Sequence, residues 1–185
     1  MVARKFFSLY IVLYLFLYSG YLLYIYLIRP TYNIVSLSAI LLPFICLLLF
    51  QLFLYKRTKI KEKKKAKIQF KTLSLLCSIL PLWCGIMLGF NEYKSNFSTE
   101  RWLYKPEERV YMVDDLLEHY KLNGMTSEEV DKLLGNPTQT EYFKEENNIV
   151  YYLGDERGLI SIDSEWLILF FNDKNEVIKY CLKTD

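Results

Sequence analysis

Three stretches of this chain carry no Asp, Glu, Lys or Arg: Phe6–Ile28, Asn33–Tyr55 and Thr72–Phe90. Each is close to the ~20 residues that a helix needs to cross a bilayer. Core helices of a water-soluble protein seldom come as three uncharged runs of this length. The expected architecture is therefore membrane all-α over residues 1–90, with three transmembrane helices at about 6–28, 33–55 and 72–90. The first run is too long for a signal peptide and lacks a small-residue cleavage site, so an uncleaved span is expected. Leu76 and Trp83, which precede Cys77 and Cys84, are too large for a lipidation signal.

Between the second and third runs lies KRTKIKEKKKAKIQFK, Lys56–Lys71, with nine basic residues and the single acid Glu62. Translocating Lys and Arg is disfavoured, so this basic loop at 56–71 is expected on the cytoplasmic side. Arg4 and Lys5 place the N-terminus on the same side. The turn Arg29–Tyr32 is then outside, and the third span exits outward. Up to Lys71 the chain has twelve basic residues against one acid, and beyond it eleven against twenty, so the net charge of +2 hides two opposite halves. The acidic half is a poor match for nucleic acid.

The spans contain no Asp, Glu, Arg or His, the residues that transporters and proton relays keep in the membrane. They read as an anchor. Pro43 and Pro81 each remove a helix hydrogen bond. Tyr10, Tyr14, Tyr18, Tyr21 and Tyr24 recur at helical spacing on one side of the first span. Their hydroxyls need partners where no water is available. These five form a candidate intramembrane interface, either with a partner protein or with the other two spans.

The acidic half reads as a linker at 91–105, with Trp102 and Tyr104 suited to a membrane interface, and then a C-terminal α+β domain at 106–185. Pro106-Glu107-Glu108 opens a helix whose apolar stripe is Val110, Val113, Leu116, Leu117 and Tyr120, and Asn123-Gly124 stops it. Thr126 and Glu129 form a capping box for a second helix, which Gly135 and Pro137 end. An antiparallel meander of three to four strands follows, with strand signals at Gln139–Phe143, Ile149–Leu153, Trp166–Phe171 and Glu176–Leu182.

These residues carry a resemblance. Gly124-Met125-Thr126-Ser127-Glu128-Glu129-Val130, then Leu133-Leu134-Gly135-Asn136-Pro137, a Tyr-rich strand and Phe170-Phe171-Asn172-Asp173-Lys174-Asn175-Glu176-Val177 resemble the SmpA/OmlA family, the BamE-like domain of bacterial outer-membrane assembly. The resemblance covers about Gly124–Leu182. It implies a two-helix, three-stranded fold that binds other envelope proteins and has no catalytic activity. The familiar members carry a lipoprotein signal, whereas this chain has three apolar spans.

No chemistry-bearing constellation stands out, and neither a cofactor nor a metal is expected. His119, the single histidine, sits one turn after Asp115 and suits a helix C-terminus. Ser161 and Ser164 lack a base. Asp155, Glu156, Asp163 and Glu165 in the loop Gly154–Glu165 lack EF-hand spacing and read as a solvated turn. The informative feature is Trp166–Phe171, which is apolar on both faces. If Asn175 is left-handed in a three-residue hairpin loop, Trp166, Ile168 and Phe170 share the core face with Ile178, Tyr180 and Leu182. Leu167, Leu169, Phe171, Val177 and Lys179 then form a candidate partner face, with Cys181 beside them. An even-numbered loop reverses the two faces.

The function expected on these grounds is a membrane-anchored extracytoplasmic interaction module of the bacterial inner or plasma membrane, with another envelope protein as partner. An envelope sensor that binds a small ligand or cation and signals through the spans is the alternative.

Overall fold

The computed structural model describes residues 2–58, 63–158 and 162–185. It divides into two units, Met1–Glu92 and Tyr93–Asp185.

The first unit contains α1 (Val2–Ile28), α2 (Ile34–Lys56) and most of α3 (Lys63–Ser95). All three are long and apolar enough to cross a membrane. The third helix begins well before Thr72, so Lys63–Lys71, expected as loop, is helical. Lys59–Glu62 lie outside the described residues. A continuous helix satisfies its own backbone, which favours extending the span into the basic segment.

The turn between α1 and α2 is held from α3. Asn91 Nδ2 donates to Pro30 O at 3.1 Å, and Glu92 accepts the Tyr32 N–H at 3.2 Å. Asn33 caps α2, accepting the Ser36 N–H at 2.7 Å while Ser36 Oγ accepts the Asn33 N–H. Arg29 takes a φ of 52°, an uncommon conformation for a residue with a Cβ, at the point where the chain reverses.

The second unit is a three-stranded antiparallel meander, β1 (Asn148–Asp155), β2 (Ser164–Phe171) and β3 (Val177–Thr184), with helices on one face. These are α4 (Thr99–Tyr104), a 3₁₀ turn at Pro106–Glu108, α5 (Arg109–His119) and α6 (Ser127–Leu134). The expected order of helix, helix and meander is present.

Several details differ from the sequence reading. The stretch 91–105 holds the end of α3 and all of α4, and Trp102 is wholly buried in the core with Met112, Leu116 and Tyr151. With its ring against Phe97 and Tyr151 and none of it exposed, Trp102 belongs to the domain core. The first domain helix stops at His119, not at Asn123, and Leu122 rather than Tyr120 is fully buried. Gln139–Phe143 is not a strand, which leaves three among the described residues.

A buried cation ties the helices to the sheet. Arg109 donates from Nε to Trp102 O at 2.7 Å and from Nη1 to Tyr152 O at 3.2 Å. Its guanidinium lies over the Trp102 ring, 5.2 Å from the centroid. Burial pulls its pKa below the usual arginine value, opposed by Tyr151 and Glu107.

Two glycines permit the packing. Gly154 has a φ of 125°, and a Cβ there would sit 2.6 Å from Glu107 O. Gly135 caps α6 at a φ of 71°, donating to Asp131 O at 2.9 Å, and its own carbonyl accepts the Tyr151 hydroxyl at 2.8 Å. The capping box of Thr126 and Glu129 starts the same helix.

A Cβ at Gly135 would collide with the Leu103 side chain as well as forcing an alanine to a positive φ. Gly135→Ala is therefore expected to destabilise the protein by at least about 1 kcal/mol. An unchanged chemical-denaturation midpoint would contradict the packing of α4 against this cap.

Candidate functional site

The outer face of the sheet, away from the helices, is the candidate site. The turn behind it is as the sequence implies: Asn175 has a φ of 59°, and Asn172 bonds Glu176 across a three-residue loop. Phe171 pairs with Val177, but the next pair is Phe170 with Lys179, so Ile178 is an extra residue in a β-bulge. A bulge shifts parity by one. Beyond it Leu169 pairs with Tyr180 and Leu167 with Leu182.

On β2 the expected faces are consequently reversed, whereas Tyr180 and Leu182 of β3 lie on the core side as expected. Leu167, Leu169 and Val177 are buried against the helices, joined by the partly buried Phe171, Tyr180 and Leu182. Of the candidate partner face, only Lys179 points outward, with Cys181. The outer face is built from Val150 and Tyr152 of β1, Trp166, Ile168 and Phe170 of β2, and Lys179, Cys181 and Lys183 of β3. Ile178, expected in the core, is 59% exposed at the bulge.

This face has a partial cover that the sequence did not reveal, the segment 138–147. Thr138 donates its N–H to Val150 O at 2.8 Å and accepts the Tyr152 N–H on Oγ1 at 2.9 Å. Buried Asn148 holds the tip of the segment, accepting the Glu145 N–H at 2.9 Å and donating to Phe143 O at 2.8 Å. Phe143 sits at a φ of 54°, a strained conformation for an aromatic residue. That strain places its ring edge-on to Trp166, with centroids 6.4 Å apart.

Tyr142 stacks on Trp166 at 5.6 Å and stays 57% exposed. Tyr152 closes the third side of the indole at 5.2 Å. Two lysines extend over the rings: Lys183 Nζ lies 5.1 Å from the Phe143 centroid and Lys179 Nζ 5.9 Å from that of Phe170. Val150, Trp166 and Ile168 are buried beneath this cover, and what the face exposes is Tyr142 with the two lysines, on a domain of acidic composition. The signal available in the sequence was Glu141-Tyr142-Phe143-Lys144, read as strand and turn.

The tyrosine column of α1 divides. Tyr10 Oη donates to Pro43 O at 2.6 Å, Tyr14 to Cys77 O at 2.8 Å, and Tyr18 to Ile40 O. Pro81 has no N–H, so the carbonyl four residues earlier, Cys77 O, loses its helical donor. The Tyr14 hydroxyl supplies that donor from another helix. Tyr14 and Tyr18 are thereby internal packing, Tyr10 and Tyr21 are partly buried, and Tyr24 is 53% exposed.

The remaining candidates are occupied otherwise. Glu165 is buried and takes a two-pronged bond from Arg157, at 3.0 Å from Nε and 2.9 Å from Nη2. Arg157 also reaches Asp114 at 2.5 Å. These contacts close the loop Gly154–Glu165, of which Leu159–Ser161 lie outside the described residues. His119 is exposed and pairs with Asp115 at 3.0 Å, as expected for a helix end. Among the described residues no group of His, Cys, Asp and Glu has metal-ligand geometry.

No protein-family model, curated protein or solved structure matches this chain. The resemblance to SmpA/OmlA proteins thus rests on the residues quoted above.

Replacing Tyr14 with Phe should cost about 1 kcal/mol of thermal stability in detergent micelles. In a Pro81→Ala background, where residue 81 again offers an N–H to Cys77 O, the same substitution should cost markedly less. Equal losses in both backgrounds would show that the hydroxyl does not repair the proline gap.

Proposed function

We propose that this chain is a membrane-anchored interaction module of the bacterial cell envelope. In this reading the three helices hold the second unit on the extracytoplasmic side of the inner or plasma membrane. The sheet's outer face then docks an acidic, aromatic-bearing segment of another envelope protein. The observation that carries the reading is the Tyr142–Trp166–Tyr152 cluster with Lys179 and Lys183 above its neighbours. Rigid aromatics with a desolvated cation supply most of the binding energy at protein interfaces. Charge complementarity would choose the partner: an acidic segment suits the two lysines, and the acidic remainder of the domain repels it elsewhere. The SmpA/OmlA resemblance points to the same class of activity.

Sidedness rests on the basic segment between α2 and α3, which favours the cytoplasm, so that α3 leads outward. In a background with Cys46 and Cys181 replaced by Ser, a membrane-impermeant thiol reagent on cells with a permeabilised outer barrier is expected to label Ser127→Cys but not Thr58→Cys. The reverse pattern would overturn the placement.

A photocrosslinking residue at Tyr142 of the full chain, in native membranes, is expected to capture an acidic protein, and one at Glu128 on α6 should not. Lys179→Glu with Lys183→Glu should reduce that crosslink at least about tenfold while the melting temperature holds. Equal capture from both positions, or a crosslink indifferent to the charge reversal, would dismiss the outer face as the docking site.

A further inference from the structure

A second surface lies within the first unit, between α2 and α3 at their basic ends. Leu52, Gln51 and Tyr55 of α2 face Lys67, Phe70, Lys71 and Ser74 of α3 across a cleft of about 560 Å³. Its lining changes character along its length. Lys67 and Lys71 are exposed, one helical turn apart on one face of α3. Leu52 and Phe70 make its walls apolar. Ser74 lies about 10 Å further along α3 from Lys67. Its hydroxyl donates to Gln51 Oε1 at 2.6 Å.

Gln51 is the anomaly. It is a primary amide at 5% exposure in a largely apolar helix whose one charged residue is the terminal Lys56, and it lines this cleft. Ser74 satisfies its oxygen, but its Nε2 finds no acceptor among the described residues. A buried amide donor left unpaired is costly, more so in a bilayer where water does not replace the missing acceptor. The cleft therefore offers paired cations at one end, a free donor further in and apolar walls between them.

We infer that this cleft binds an anionic phospholipid of the surrounding bilayer. The phosphate sits between Lys67 and Lys71, a glycerol-ester oxygen accepts the Gln51 Nε2 donor, and an acyl chain lies against Leu52 and Phe70. Basic pockets between membrane helices take lipid headgroups by this combination of charge and apolar contact. A free anion would leave both the amide and the apolar walls unused, so the lipid is the occupant that fits all three parts. The inference is independent of the docking face on the second unit.

The test uses the full chain, purified in a neutral detergent. Phosphatidylglycerol and phosphatidylcholine are added separately as mixed micelles, and lipid adducts are counted by native mass spectrometry. Phosphatidylglycerol is expected to bind at least about tenfold more tightly than phosphatidylcholine. Lys67→Gln with Lys71→Gln should abolish that preference. Lys64→Gln with Lys65→Gln removes the same charge from the same helix outside the cleft and should leave the preference within about twofold. The exposed lysines can be replaced without disturbing the core, and circular dichroism checks that helix content is retained. Gln51→Leu should weaken phosphatidylglycerol binding several-fold while leaving it preferred over phosphatidylcholine, because both lipids carry the ester oxygen. Three results would overturn the site. One is equal loss in the two double variants, which means diffuse attraction to the basic segment. Another is equal binding of the two lipids. The last is full competition by millimolar inorganic phosphate, which means a free-anion site.

Discussion

Inside a bilayer, a backbone carbonyl without a donor has no water to turn to. Pro81 makes such a carbonyl at Cys77, and the helix bundle is arranged so that Tyr14 answers it. The requirement reaches beyond one bond. For Tyr14 to arrive there, α1 must lie against α3 with its tyrosine side inward, which also sets Tyr18 against Ile40 and Tyr10 against Pro43. The short turn that joins α1 to α2 is then within reach of Asn91 and Glu92, which hold it. A proline that would weaken an isolated helix thus orients three.

The second unit depends on a constraint of another kind, the parity of a β-ladder. Its sequence announces the turn at Asn172–Asn175, the capping box at Thr126 and the glycine at position 135, because each is a local contest that one or two residues decide. The spans were equally legible, since hydrophobicity over a bilayer's thickness is additive along the chain. The faces of β2 were not. They turn on a single extra residue, Ile178, and nothing in Val177-Ile178-Lys179 distinguishes a bulged valine–isoleucine pair from a regular one. When both faces of a central strand are covered, its residues are apolar throughout and carry no mark of which face is inner.

The cover itself escaped for a related reason. Tyr142 and Phe143 have strand-like side chains, and their neighbourhood reads as a fourth strand. Tertiary contacts with Trp166 and the bonds from Asn148 instead hold the segment across the sheet, with Phe143 in a backbone region it would not choose alone. Propensity describes a residue's average surroundings, whereas here the surroundings are one particular indole. The cleft between α2 and α3 was hidden differently. Gln51 is one polar residue in an apolar run, and its unpaired nitrogen is a property of three-dimensional neighbours.

The bulge at Ile178 has a consequence for how the molecule keeps to itself. β3 is an edge strand, and a flat apolar edge invites another chain to extend the sheet. Here the edge is twisted by the bulge at one end and carries lysines at 179 and 183, two of the devices by which natural sheets discourage such growth. At membrane surfaces, where proteins are concentrated in two dimensions and diffuse slowly past one another, an unguarded edge would seed fibrillar stacking among copies of the same chain. The residue that turns β2 over relative to β3 thus also disfavours pairing with a neighbouring copy.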